Sequence, residues 1–297
     1  MIVNDIKKLH VGKVITNVLM KDYTTYKVGG SVLCIVYPDD EQCLIRLIKY
    51  LKDENIKYKI IGNGSNVIFN DKGYDGVIVK LDNFNDLKII NNTITVGAGY
   101  MLNKLALRVS RLGLTGMEFA TGIPGTIGGA VFMNAGAYKS DMGYILRSIK
   151  VLTPDLKIKT MHNKDLDFHY RSSYLQNNPE YICLEATIVL KKGNVDEIME
   201  LIHSRKERRV ASQPLEYPSA GSVFRNPKDD FAGRLIEEIG YKGKKMGGAQ
   251  VSEKHANFII NSGNATGEDV KKLILDIKNK VKKKYNVELK IEQEFVE

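Results

Sequence analysis

Four glycines in nine residues, Gly122, Gly125, Gly128 and Gly129, leave the stretch GIPGTIGGA (122–130) nearly bare of large side chains. What such a stretch can do chemically is bind through its main chain. Glycine removes the Cβ that would hold a ligand away from the N–H groups, and Pro124 fixes its own φ and steadies the turn. The residues Gly122, Ile123, Pro124, Gly125, Thr126, Gly128, Gly129 and Ala130 are therefore candidates for holding a polyphosphate or a flat cofactor. A second loop, GNGSN (Gly62, Asn63, Gly64, Ser65, Asn66), follows the apolar run YKII and precedes VIF. It reads as strand, anion-binding loop, strand. Two such loops suggest one extended ligand held at both ends. Neither matches a common nucleotide fingerprint: the first lacks the Lys-Ser/Thr that closes a P-loop, and the second lacks the third glycine and following helix of a Rossmann turn. A cofactor fold of another kind is expected.

The elements that must position these loops follow from periodicity. A strand runs from the Gly29-Gly30 turn to Pro38, and Asp39 or Asp40 caps a helix in which Leu44, Ile45, Leu47, Ile48 and Leu51 recur at three and four residues. Short β runs are expected over 76–81 and 93–96, then a helix over 101–112 ended by Gly113. Beyond 138, residues 149–160 read as a hairpin, 181–190 as a long strand and 195–209 as a helix with a basic end. A proline-rich loop, QPLEYPSAGSVFRNP, leads to a helix over 231–239, a strand over 255–261, a helix opened by the capping box Thr266–Asp269, and a last strand over 287–296. The mixture is α+β, with breaks near residues 80 and 200.

Composition narrows the function classes. The chain has 297 residues, 43% of them hydrophobic, enough for two or three packed domains. Its apolar runs fall well short of the ~20 residues that span a bilayer, and the first ten residues carry charges where a signal peptide is apolar, so no membrane insertion and a cytoplasmic location are expected. Cys34, Cys43 and Cys183 form no C-x-x-C pair and read as buried small hydrophobes. The net charge of +9 gathers in the lysines of 271–284, which face several sides of a helix and read as a solvated surface. No nucleic-acid motif accompanies them; the positive field better suits a phosphorylated substrate and an anionic nucleotide. The five histidines are scattered, and no metal site is expected.

Seven motifs, in order, resemble the UDP-N-acetylenolpyruvoylglucosamine reductase family: TTYKVGG (24–30), GNGSN (62–66), GIPGTIGGA (122–130), NAGAY (134–138), YRSS (170–173), AGSVFRNP (220–227) and the run 232–261 that contains KHANFIIN. The absence of an inserted tyrosine-bearing loop after YRSS resembles the shorter type in the family. Two departures are the run SVLCIVYP after Gly30 and the lack of the family's usual tail. The resemblance implies a three-part α+β flavoprotein with a PCMH-type FAD-binding fold: 1–80 rejoined by 288–297, then 81–200, with FAD between them, and 201–287 as a substrate domain. It implies FAD, NADPH as co-substrate, a UDP-sugar enolpyruvyl ether as substrate and a monomer; neither glycine loop contains a histidine or cysteine, so the FAD is expected to be non-covalent.

The implied reaction reduces the enolpyruvyl double bond to the lactyl ether. Hydride reaches the β-carbon, charge builds on the carboxylate as an enolate, and the α-carbon then needs a proton. The family's motifs place these roles on Arg171, Ser222 and Glu292. A guanidinium can meet the carboxylate with two parallel bonds. Without the motifs Arg171 would read as a surface ion-pair residue and Ser222 as a turn serine, and Glu292 shares its strand face with Glu288 and Glu294. Substrate contacts are expected from Arg171, Asn226, Gln250 and Asn257, and FAD contacts from both glycine loops. His255 reads as structural. The competing readings are another FAD-linked oxidase or dehydrogenase, which would lack AGSVFRNP and KHANF, and a non-catalytic nucleotide-binding or nucleic-acid-binding basic protein, which would leave the two glycine loops and Arg171, Ser222 and Glu292 unexplained.

Overall fold

Asp40 accepts a hydrogen bond from the Cys43 N–H at 2.7 Å and so opens the Glu41–Asp53 helix, whose Cys43, Leu44, Leu47, Ile48 and Leu51 form its buried face. The computed structural model describes residues 2–297, and in it the chain is divided into two bodies. The first takes the chain up to Thr16, then Cys34–Asn63 and Gly76–Glu207; the second takes Asn17–Leu33, Gly64–Asp75 and Arg208–Glu297. Residues 81–200 thus lie in the first body and 208–287 in the second. The expected N-terminal segment 1–80 is shared out between the two.

In the first body, strands Gly12–Ile15, Cys34 to Pro38, Gly76 to Lys80 and Tyr58–Ile61 lie side by side in that order. Tyr58–Ile61 runs parallel to its neighbour, so Ile61 stands beside Lys80 and the chain enters the GNGSN loop at the sheet's end. An antiparallel sheet follows in the order Ile158–His162, Leu146–Leu152, Ile182–Val189, Thr93–Gly97, Leu87–Ile90. The helix Leu102–Arg111 buries Leu102, Leu105, Ala106 and Val109, and Gly113 beyond it takes φ +72°. Each fully buried leucine of this kind stabilises the fold by roughly 1.5–3 kcal/mol. The short helix Ile127–Phe132, which the glycine-rich sequence conceals, is opened by Thr126, whose hydroxyl accepts from the Gly129 N–H.

In the second body, Lys245–Met246, Ala249–Val251 and Ile259–Asn261 make an antiparallel sheet, and the helix Gly267–Tyr285 buries Val270, Leu273, Ile274, Ile277 and Val281. Both halves of the Thr266–Asp269 capping box form. The lysines of this helix are solvated and partly paired, Lys272 with Glu268 and Lys278 with Glu288.

Two expected strands are shorter than their alternation suggests. Residues 287–296 pair as a strand only over Glu294–Val296, parallel to Val67–Phe69, because the preceding residues bond singly to the 222–225 segment. Glu288 and Glu292 therefore lie outside the strand and do not share a strand face with Glu294. Of 255–261, only Ile259–Asn261 is strand: the Ser252 hydroxyl accepts from the N–H groups of Lys254 and His255, and the chain turns there. All three cysteines are free and buried, and burial pushes the Cys34 and Cys183 thiols up to about 11 and about 12.

Candidate functional site

Gly62, the first residue of the GNGSN loop, has no space for a side chain: a Cβ there would stand 2.4 Å from the Thr126 Oγ1. Its carbonyl accepts from the Nζ of Lys80 at 2.6 Å, a lysine only 8% exposed. The neighbouring Asn63 side chain donates to the Pro124 carbonyl at 2.9 Å, so the two glycine loops are fastened together. Among the described residues, no protein acceptor receives the main-chain N–H groups of Asn63, Gly64 and Ser65. Gly64 takes φ +66°, with the Tyr23 carbonyl 2.2 Å from where a Cβ would be, so only glycine fits. Consecutive unpaired donors on a glycine-rich loop are the equipment of an anion cradle.

The glycines of 122–130 divide in purpose. A Cβ on Gly128 would press on Ala98 at 3.1 Å, so this glycine serves the packing of the short helix on its neighbour. Gly129 would meet nothing closer than the Thr126 Oγ1 at 3.5 Å and stays open.

Arg171 sits at the second position of a two-residue turn closed by mutual hydrogen bonds of His169 and Ser172, and takes φ +55°. A non-glycine residue there costs of order 1 kcal/mol or more and persists only where its surroundings insist on it. The surroundings do. Buried Asn134 donates to the His169 carbonyl at 2.8 Å and accepts from the Gly143 N–H at 2.9 Å. Gln176 donates to the Arg171 and Phe132 carbonyls, both at 3.0 Å. The guanidinium donates to the Gly136 carbonyl at 2.6 Å and lies 5.1 Å from the centre of the Tyr170 ring. A cation is thereby presented on a rigid, strained support.

In the second body, Ser222 and Glu292 are brought together by their main chains. The Val223 N–H donates to the Asn257 carbonyl at 2.9 Å, and the Val223 carbonyl accepts from the Glu292 N–H at 2.8 Å. Ser222 faces Phe258 across one bridge, and Phe224 faces Ile291 across another. Buried Gln293 reaches back to the Ala220 and Gly221 carbonyls at 3.0 and 3.3 Å, and its oxygen accepts from the Tyr26 hydroxyl, whose pKa burial drives above the ordinary phenol value. The Asn66 side chain donates to the Glu292 carbonyl at 3.0 Å, tying the loop's last residue to the same segment. Among the described residues the Ser222 hydroxyl has no hydrogen-bond partner, and Gly221 beside it, at φ +73°, faces open space.

The expected substrate residues fall differently. Asn257 is 4% exposed, and both ends of its amide bond Phe224: Oδ1 accepts from the N–H at 3.0 Å and Nδ2 donates to the carbonyl at 2.8 Å. Its main-chain carbonyl accepts from the N–H of Val223, the residue after Ser222. The Asn226 Oδ1 caps the helix Ala232–Glu238 by accepting from the Ala232 N–H, while Gln250 donates weakly to the Gly243 carbonyl at 3.3 Å. His255 accepts from the Asn257 N–H through Nδ1, and burial holds its pKa below the ordinary value. Sequence reasoning missed Lys80, Gln176 and Gln293, which look like ordinary strand, turn and strand residues. Asn134 and Tyr26 were visible only as members of NAGAY and TTYKVGG.

The model of the UDP-N-acetylenolpyruvoylglucosamine reductase C-terminal domain matches residues 213–296, and an FAD binding domain matches 32–161. A UDP-N-acetylenolpyruvoylglucosamine reductase of Anoxybacillus flavithermus is 44% identical over 293 residues, covering 98% of this chain and 97% of the relative. The chain belongs to the UDP-N-acetylenolpyruvoylglucosamine reductase family. The reductase of that name from Bacillus subtilis is 40% identical over 99% of this chain and 98% of its own. The crystal structure of the Thermus caldophilus reductase superposes with a TM-score of 0.81, at 33% identity, over 96% of this chain and 98% of that one. As a member of the reductase family the chain is an α+β, FAD-dependent oxidoreductase that uses NADPH and yields UDP-N-acetylmuramate for peptidoglycan precursors. The unpaired donors of 63–65 and the enforced glycine at 64 fit the diphosphate of FAD.

Proposed function

We propose that Arg171, Ser222 and Glu292 carry the reduction of UDP-N-acetylglucosamine enolpyruvate, with loops 62–66 and 122–130 holding FAD. When bound, FAD relays the hydride from NADPH. Arg171 holds the substrate carboxylate, and its positive charge stabilises the enolate that forms there. Ser222 gives its proton to the α-carbon, and Glu292, fixed to the same segment through Val223, orients and replenishes it. Asn257 supports Ser222 from behind, and Asn226 and Gln250 offer their remaining amide groups to the nucleotide-sugar. The three-part division 1–80 with 288–297, 81–200 and 201–287, a monomeric state and a cytoplasmic location complete the reading. No helix among the described residues is long and apolar enough to cross a membrane.

The observation that carries this reading is the Ser222 hydroxyl: uncommitted, beside a glycine facing open space, on main chain pinned from both sides. General acid catalysis is worth about 10²- to 10⁴-fold, so Ser222→Ala should slow reoxidation of reduced flavin by substrate by that factor. Reduction by NADPH should keep its rate, and Ser222→Cys should recover part of the loss. Stopped-flow traces in which Ser222→Ala reoxidises as fast as wild type would remove Ser222 from the mechanism.

A further inference from the structure

Lys80 has no part in the reduction, yet the residue is only 8% exposed and its ammonium ends 2.6 Å from the Gly62 carbonyl oxygen. Its acidic partner, Asp82 at 3.3 Å, has a side chain 48% exposed and pairs with it from the solvent side. A lysine this deeply buried needs hydrogen-bonded company, and besides Asp82 it finds a main-chain carbonyl of the anion-binding loop, the shorter of the two contacts.

That carbonyl belongs to the peptide group whose other end is the Asn63 N–H. The structure contains no cis peptide bonds among the described residues, so the N–H points away from the C=O, on the side opposite the ammonium. This N–H is the first of the three donors for which the protein supplies no acceptor. A charge-assisted bond to the oxygen draws electron density along the peptide and makes its N–H a stronger donor, because hydrogen bonds in series polarise one another. The peptide cannot tilt to escape: Gly62 rests against the Thr126 hydroxyl, and the Asn63 side chain is tied to the Pro124 carbonyl.

We propose that Lys80 is a positioning and polarising residue for the diphosphate of FAD, acting through the Gly62–Asn63 peptide without touching the cofactor. It keeps the peptide oriented and lends it part of a positive charge. The inference rests on the reading of 62–66 as the diphosphate loop, and the test separates the two.

The experiment uses the full-length holoprotein. Release of FAD on dilution is followed by flavin fluorescence, and ADP and riboflavin are each titrated as competitors for wild type, Lys80→Met, Lys80→Arg and Gly64→Ala. Methionine keeps the length of the stem and removes the donor; arginine keeps the charge. Losing one charge-assisted bond should raise the Kd for FAD and for ADP about tenfold to a hundredfold in Lys80→Met. The Kd for riboflavin, which has no diphosphate, should change less than threefold, and Lys80→Arg should lie nearer wild type. Equal weakening of FAD and riboflavin would show that Lys80 only supports the fold and would overturn the proposal, as would unchanged ADP binding in Lys80→Met. If Gly64→Ala also leaves ADP binding intact, it is the loop reading that fails; if Gly64→Ala weakens ADP while Lys80→Met does not, the relay alone is wrong. Should Lys80→Met fail to fold, Lys80→Gln takes its place: ADP weakened more than riboflavin supports the relay, and equal weakening of the two overturns it.

Discussion

Asn257→Ala separates a substrate contact from a brace. The Asn257 side chain bonds the Phe224 N–H at 3.0 Å and the Phe224 carbonyl at 2.8 Å, and all of this lies at a position 4% exposed. Alanine would leave both Phe224 groups without partners; at roughly 1–3 kcal/mol for each buried group, the loss comes to about 2–6 kcal/mol. Urea denaturation should show the midpoint falling with no change in slope, because the surface exposed on unfolding is the same. The Asn257 main chain still accepts from Val223, so the segment should loosen without detaching, and reoxidation by substrate should slow while reduction by NADPH does not. Asn257→Asp keeps the acceptor for the Phe224 N–H but sets a carboxylate oxygen against the Phe224 carbonyl, so it should do no better than alanine. A residue that bound substrate would behave otherwise, with KM raised and stability unmoved. An unfolding free energy for Asn257→Ala within about 0.5 kcal/mol of wild type would refute the brace.

Arg171→Lys should keep flavin reduction by NADPH near normal and slow oxidation by the UDP-sugar, because an ammonium lacks the two-pronged geometry that holds a carboxylate in register; wild-type turnover would exclude Arg171 as the clamp. Acid precipitation should leave a colourless pellet and yellow supernatant, since neither glycine loop contains a histidine or cysteine and all three cysteines are buried. Burial keeps the folded-state pKa of His255 below its ordinary value of 6.5, so the unfolded chain takes up the proton first as pH falls. The stabilisation due to the neutral ring is complete above that value and lost as pH drops below it toward the folded pKa. Unfolding free energy measured from pH 7.5 to 5 should therefore fall more steeply in wild type than in His255→Gln.

The glycine loops could be read directly because the feature that matters there, an absent Cβ, is itself a residue type. So could the Asp40 cap and the Thr266–Asp269 box, whose partners lie three residues apart. What escaped notice depends on distant partners. Asn257 and a substrate-binding asparagine have the same donors and acceptors, and only the 33-residue reach to Phe224 distinguishes them. Lys80 looks like a solvent-exposed strand end until its burial beneath Gly62 is seen. Gly128 looks like its neighbour Gly129, yet one is packed on Ala98 and the other is open. The run VELKIEQEF reads as one long strand, but its middle makes only single main-chain bonds, Lys290 and Glu292 to the loop at Arg225 and Val223.

The chain passes from one body to the other after Thr16, Leu33, Asn63, Asp75 and Glu207. Neither body is therefore an uninterrupted stretch of the gene. Residues 17–33 and 64–75 emerge from the ribosome long before 208–297, with which they must fold, and wait as unsatisfied chain while residues 76–207 are added. During that interval the Val67–Phe69 edge, later covered by Glu294–Val296, is open to strangers. The same threading protects the finished molecule, since one protease nick at any crossing frees neither body: each remains bound through the other passages.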